Sequence, residues 1–227
     1  MSHAKPSRAL PRGPHSLSRE EVEKSQRARL LLAMTYAVAE KGYANTSVAD
    51  VISRAGVSRA TFYAMFRDKE ECFREAYETA AGQIALLMTN GIRAMVAEAF
   101  QPGKPKDPVR ILDRALTVYL GTLASQPQLA RTFLVEVYAA GPKAIEQRRV
   151  SMEVFVTLIS EALRGVSGMP GDDPDQKFAV RLLVNAVSSM VTSLVGTGEY
   201  QRLPELKAPL LRLASGFMDR IAGPDGP

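Results

Sequence analysis

Residues Gly56–Phe66 read GVSRATFYAMF. A glycine, a valine and a serine stand in front of barely two turns of helix that carry an arginine, a threonine and three aromatic rings. Gly56 can take the positive φ that ends one helix, Val57 can fill the angle between two helices, and Ser58 can cap the next. Upstream, SVAD (Ser47–Asp50) is another N-cap signal, with Asp50 near the positive end of the helix dipole, and it opens a helix Val48 to about Ala55. A short helix, a tight join and a shorter second helix ending near Phe66 form a helix-turn-helix, in which the second helix enters the DNA major groove and the first crosses the backbone.

Working outward, SREE (Ser18–Glu21) is a capping box for a first helix running to Lys41, where Gly42 offers a left-handed exit. Asp68 and Glu71 in DKEE open a fourth helix. Val48, Val51, Ile52, Val57, Phe62 and Phe66 fall where they can share a small core with Leu31, Met34 and Val38. That leaves Arg59, Ala60, Thr61, Tyr63 and Ala64 for the groove. Arg59 can donate twice to guanine O6 and N7, and the Ala60 or Thr61 methyl can meet a thymine methyl. Tyr63 brings a hydroxyl for a phosphate. Ser58 sits at the start of the reading helix, and Thr46, Ser47 and Lys69 are placed for backbone phosphates.

The chain has 227 residues, 46% of them hydrophobic and 7% aromatic, with a formal charge of +5 and no tryptophan. Its residue usage favours helix over strand throughout, so the expected class is all-α. The basic balance is compatible with an anionic polymer as partner. Residues 1–17, with three prolines and no periodicity, read as a disordered basic tail without the apolar run of a secretory signal. The single cysteine, Cys72, stands at an apolar position and reads as a buried structural thiol. Phe178–Gly196, the longest apolar segment, is interrupted by Arg181, Asn185 and four hydroxyl residues, which reads as too polar for a membrane span. A cytoplasmic protein is expected.

Catalytic chemistry is not in evidence. Both histidines, His3 and His15, lie in the tail, which removes histidine-based nucleophilic schemes and His-rich metal sites from the folded region. No phosphate-binding glycine loop occurs, and GDDPD (Gly171–Asp175) lacks the ligand alternation of a calcium loop. No enzyme activity, cofactor or metal is expected.

Prolines at 108, 127, 142, 174 and 204 mark further helix starts, after a linker QPGKPKDP (Gln101–Pro108), and GVSGMPGDDPD (Gly165–Asp175) is a long loop. In the last helix Leu206, Leu210, Leu213, Ala214, Phe217, Met218 and Ile221 share a face. Before it Phe178, Leu182, Leu183, Ala186, Val187, Met190, Val191 and Leu194 make a wide apolar one. Such a pair can pack into its own core or against its own copy.

The segment RARLLLAMTYAVAEKGYANTSVADVISRAGVSRATFYAMFRDKEECF (Arg27–Phe73) resembles the DNA-binding domain of the tetracycline-repressor (TetR) family of bacterial transcription regulators over roughly a fifth of the chain. The matching elements come in order: AEKGY closing the first helix, TSVADVISRAGVS through the turn, TFYAMF, then DKEE. Two positions depart from the family pattern: Met65 stands where a phosphate-touching tyrosine or histidine is frequent, and Leu32 where a polar residue is usual.

The resemblance implies a helix-turn-helix domain over 18–67, a larger helical ligand-binding and dimerisation domain over 68–222, and a short tail over 223–227. It also implies a homodimer through the last two long helices, about 178–196 and 204–222. Such a dimer would bind a palindromic operator on double-stranded DNA and let go when a small-molecule effector enters the larger domain. Met88, Met95, Tyr119, Phe133, Tyr138, Met152, Phe155, Phe178 and Met190 are an apolar, adaptable set from which a pocket could be drawn, so the expected effector is apolar or amphipathic. Two other readings stand beside this one: a helical small-molecule-binding protein, and a sequence-independent DNA-binding protein, each retaining the helix-turn-helix.

Overall fold

A computed structural model describes residues 18–99, 107–167 and 174–221. The basic tail, most of the linker before Asp107, the loop segment 168–173 and the C-terminal tail lie outside the described residues. Among the described residues every regular element is a helix.

The first three helices follow their caps. In α1 (Arg19–Lys41) Ser18 Oγ accepts from the Glu21 amide at 3.2 Å while the Glu21 carboxylate accepts from the Ser18 amide at 2.7 Å. Gly42 takes positive φ (78°) as expected, but with ψ of 155° it leaves the helix extended rather than left-handed. A Cβ there would lie 3.3 Å from Glu136 Oε2, so the bare glycine lets that carboxylate approach. Ser47 and Asp50 form a reciprocal cap on α2 (Val48–Ala55). Gly56, at φ 64° and ψ 40°, supplies the left-handed residue on which α2 ends. Ser58 caps α3 (Arg59–Met65) by accepting from the Thr61 amide at 3.0 Å.

The longer helices are α4 (Lys69–Ala99), α5 (Pro108–Ser125), α6 (Pro127–Leu134), α7 (Pro142–Ser167), α8 (Pro174–Gly196) and α9 (Lys207–Ile221). A 3-10 turn Glu136–Tyr138 joins α6 to α7, and another, Tyr200–Leu206, joins α8 to α9. Four of the five proline starts hold. The fifth does not: Pro204 lies inside the second 3-10 turn, and the final helix begins at Lys207, whose amide is bonded to the Pro204 carbonyl.

Two apolar cores result. One gathers Leu30, Met34, Val38, Val51, Phe62, Phe66, Cys72 and Phe73 with Phe133, Val137, Ala140 and Ala144. Leu31, Val48, Ile52 and Val57 pack against it half-buried. This core therefore draws on α1–α4 and also on α6, the first 3-10 turn and the start of α7. The other is built from α4, α5, α6, α7, α8, the second 3-10 turn and α9 around Met88, Leu112, Leu116, Leu120, Ile159 and Val191.

Helix α8 has two apolar sides. Val180, Val187, Val191 and Val195 are buried, while Phe178, Leu182 and Met190 are exposed, Phe178 at 65%. By length and composition alone α8 is long and apolar enough to cross a membrane, with a mean hydropathy of 1.6 over its best window. Its polar interruptions thus weigh less than the sequence reading allowed, because the valine row and the outward apolar row add up. The valine row and an Arg181–Glu153 ion pair at 2.8 Å attach it to the rest of the fold.

Candidate nucleic-acid interface and effector cavity

The reading helix is held from behind. Phe62 is fully buried, with its ring edge-on to Tyr63 at 5.3 Å and tilted against Phe66 at 5.5 Å. Arg27 of α1 lies over the Phe66 ring at 4.7 Å and grips the Glu75 carboxylate of α4 with two donors. Arg29 donates to the last carbonyl of α2, at Ala55, at 3.0 Å. Ion pairs Lys41–Asp50 and Arg54–Glu40 tie α2 to α1. The Lys41 ammonium and the Ser47 donors hold the Asp50 carboxyl well below the usual carboxylate range.

On the open side, Arg59, Ala60, Tyr63 and Ala64 are exposed and Thr61 is half-buried. The Arg59 guanidinium lies over the Tyr63 ring at 5.3 Å, and its Nη2 reaches the Tyr63 hydroxyl at 3.4 Å. Ser58 Oγ is 2.9 Å from Thr61 Oγ1 as well as capping the helix. Ser47 is exposed at the start of α2, its hydroxyl donating to Asp50.

Two expected phosphate contacts are turned inward. Thr46 is buried, and its hydroxyl donates to the carbonyls of Gly42 at 2.8 Å and Ala37 at 3.3 Å. Lys69 is half-buried, with Nζ donating to the carbonyls of Tyr43 and Thr46 at 2.8 Å each and lying 4.2 Å from the Tyr43 ring centroid. Desolvation lowers its pKa. Both side chains help to close the loop between α1 and α2 by donating to backbone carbonyls that would otherwise need a partner.

The frame also touches α6 and the 3-10 turn that follows it. The Tyr43 amide donates to Glu136 Oε2 at 2.9 Å, and Thr132 of α6 donates to the Thr35 carbonyl of α1 at 2.7 Å. A file of rings runs through the junction: Tyr43 to Phe73 at 5.0 Å, Phe73 to Phe133 at 5.9 Å, Phe133 to Tyr77 at 5.4 Å. Leu32, which departs from the family pattern, opens onto a groove of about 690 Å³ between α1, α4 and the α5–α6 corner.

Between α4, α5, α7 and α8 lies a wholly apolar cavity of about 60 Å³, bounded by Met88, Leu112, Tyr119, Met152, Phe155 and Val187 among others. A second, of about 30 Å³, shares Tyr119, Met152 and Phe155 with it and ends at Tyr77, Phe133 and Arg148. Of the nine candidate pocket residues, Met88, Tyr119, Phe133, Met152 and Phe155 line one cavity or both. Tyr138, Phe178 and Met190 are on the surface instead, and the Met95 side chain lies outside the described set. Burial pushes the Tyr119 hydroxyl up to about 12. Arg148 escaped the sequence reading because, in EQRRV, it looks like one more charge on a wet helix face; only the fold buries it. Among the described residues no three metal-ligating side chains converge.

A capped three-helix frame with a short, outward-facing second helix defines a helix-turn-helix DNA-binding domain. Residues 36–76 match the model for the bacterial regulatory proteins of the tetR family. Among curated proteins none matches the sequence. Solved structures with the same fold include the fatty acid degradation regulator FadR of Bacillus halodurans (TM-score 0.68, 20% identity, 83% of this chain and 93% of that one). FadR of Bacillus subtilis, in complex with stearoyl-CoA, is similar too (0.67, 18%, 82% and 96%). So is a transcriptional regulator of Rhodococcus sp. RHA1 (0.62, 22%, 82% and 94%). At these identities the likeness is one of fold.

Proposed function

We propose that the chain acts in the cytoplasm as a homodimeric repressor that binds a palindromic operator and is released by a small apolar or amphipathic molecule. The observation that carries this reading is the Arg59–Tyr63 pair, exposed on a reading helix whose base is fixed by Phe62, Phe66 and the Arg27–Glu75 clamp. An arginine resting on a tyrosine ring can swing to the O6 and N7 of guanine at modest cost, leaving Tyr63 for sugar or phosphate. Ser47 and Ser58 remain proposed backbone contacts, and Ala60 and Thr61 proposed methyl contacts.

The dimer reading is supported by the outward row of α8, Phe178, Leu182 and Met190, together with Leu213 of α9, 71% exposed. Apolar side chains left in a row on two helices are best covered by the same row of a second copy, and a dimer of this kind needs its two reading helices about 34 Å apart, or a multiple of it, to enter successive major grooves. The ligand reading is supported by the cavity and, by analogy, by the FadR relative solved with stearoyl-CoA. Helix α4 lines the cavity and also carries Phe73 and Glu75 of the DNA-binding frame, so a ligand that prefers a different α4 position changes the spacing of the reading helices. A differential affinity of about 1.4 kcal/mol changes operator occupancy about tenfold.

Selection of bound sequences from a random duplex pool at fixed salt, for the wild type and Arg59→Ala, tests the reading. A palindrome that loses preference at one position per half-site in the variant supports it. A pool that stays random, with affinity that merely falls with salt, makes the protein a sequence-blind DNA binder.

A further inference from the structure

Arg148 of α7 is 8% exposed and lies at one end of the smaller cavity. Its Nη2 donates to Ser188 Oγ at 2.7 Å and, at 3.4 Å, to Thr192 Oγ1, both on α8. The Tyr138 ring lies 5.6 Å from its guanidinium carbon. Among the described residues no carboxylate comes within 4.0 Å of it. Glu136, on the same 3-10 turn as Tyr138, is committed to the Tyr43 amide and to Arg131.

Hydroxyls and a ring face orient a guanidinium but do not neutralise it, and a buried charge without a counter-ion is costly to keep. Tyr77, which lines the same cavity end, faces Ser151 and Arg148. The larger cavity, on the other side of Tyr119, Met152 and Phe155, presents by contrast only carbon and sulfur apart from the Tyr119 hydroxyl. One positive fork, held in a fixed orientation at the end of an apolar space, is the complement of a molecule with one planar anion and a hydrocarbon body.

Building on the ligand-release reading above, we infer that Arg148 is the anion-recognition residue of the effector site, and that the effector is a small monocarboxylate with an apolar body. Its carboxylate takes the two-pronged position on the guanidinium, and its body lies against Met88, Leu112, Met152, Phe155 and Val187. The larger cavity alone has room for about four to six non-hydrogen atoms, at about 10–15 Å³ for each water-sized unit. That matches the hydrocarbon part of a short or medium-chain acid or of an aromatic acid. The site lies where it can act: Tyr77 and Phe133 at the Arg148 end belong to the file of rings that reaches Tyr43.

The test is calorimetric titration of the full-length protein, without DNA, with octanoate and with octan-1-ol, for the wild type, Arg148→Met and Arg148→Lys. The wild type is expected to bind octanoate at least about tenfold more tightly than the alcohol, as a charge-assisted hydrogen-bond pair does. Arg148→Met keeps the alcohol and loses the preference, and Arg148→Lys retains part of it. Equal binding of acid and alcohol by the wild type, binding of neither, or a preference that survives Arg148→Met overturns the assignment. Should Arg148→Met fail to fold by circular dichroism, the double variant Ser188→Ala, Thr192→Val carries the test. Removing the props of the fork must weaken octanoate and spare octan-1-ol, and an unchanged ratio overturns it. Because no DNA is present, failure here leaves the operator selection standing, and failure of that selection leaves this measurement intact.

Discussion

The DNA-binding frame and the cavity-bearing helices treat buried polar chemistry in opposite ways. In the frame, the half-buried cations meet acceptors of the chain itself: Arg27 has Glu75, Lys69 has the carbonyls of Tyr43 and Thr46, Arg29 has the carbonyl of Ala55. Among the described residues the buried Arg148 of α7 has only hydroxyls and a ring as partners. In the first arrangement each of the three cations has at least one acceptor within the chain, although Arg29 Nε is buried without a hydrogen bond. The second leaves charge and space open, as a region that must respond to something from outside does. Substitutions should separate the two.

The largest effect is expected in the frame's interior. Phe62→Ala should cost about 3–5 kcal/mol of unfolding free energy, read by denaturant titration, and should abolish operator binding by loss of the frame itself. Next comes the outward face of α8. Phe178→Glu with Leu182→Glu should leave the fold intact but raise the dimer dissociation constant about a hundredfold or more, since each apolar side chain covered is worth about 1.5–3 kcal/mol. Sedimentation against concentration reads this, and an unchanged dimer would place the interface elsewhere.

Arg59→Ala should cost about 1–3 kcal/mol of discrimination at one base position per half-site while changing stability by less than about 0.5 kcal/mol. A uniform loss over all sequences would make Arg59 a phosphate contact instead. Ser58→Ala should cost about 1 kcal/mol of stability by uncapping α3, seen as a lowered Tm. The smallest effect concerns Cys72. It is fully buried, and burial pushes its thiol well above the ordinary range, so a thiol reagent should leave the native protein untouched and react fully in denaturant; rapid native reaction would show that the frame opens.

The frame was legible because its signals are local. Ser47, Gly56 and Ser58 each act within four residues of themselves, and the spacing of Val51, Phe62 and Phe66 places them on one side. Thr46 and Lys69 looked like phosphate contacts for the same reason. Their chemistry suits a phosphate, and only the path of the loop Gly42–Thr46 over the start of α4 decides that backbone carbonyls claim them first. Pro204 looked like a helix start because the sequence cannot tell a first turn of α-helix from a 3-10 turn that precedes one. Phe133 and Thr132 lie far along the chain from the frame they complete, and nothing in their neighbourhood announces Phe73 or the Thr35 carbonyl. Arg148 is the extreme case, since its partners Ser188 and Thr192 lie on another helix.

The file of rings from Tyr43 to Tyr77 has a consequence for anyone who would use this protein as a part. Phe133, Val137, Ala140 and Ala144 fill the interior of the DNA-binding frame, so a hybrid sensor joined at residue 67 would carry a reading head with a hole in its floor. A workable exchange must move the α6–α7 corner together with α1–α4, or must refit the four apolar side chains to whatever frame is placed above them.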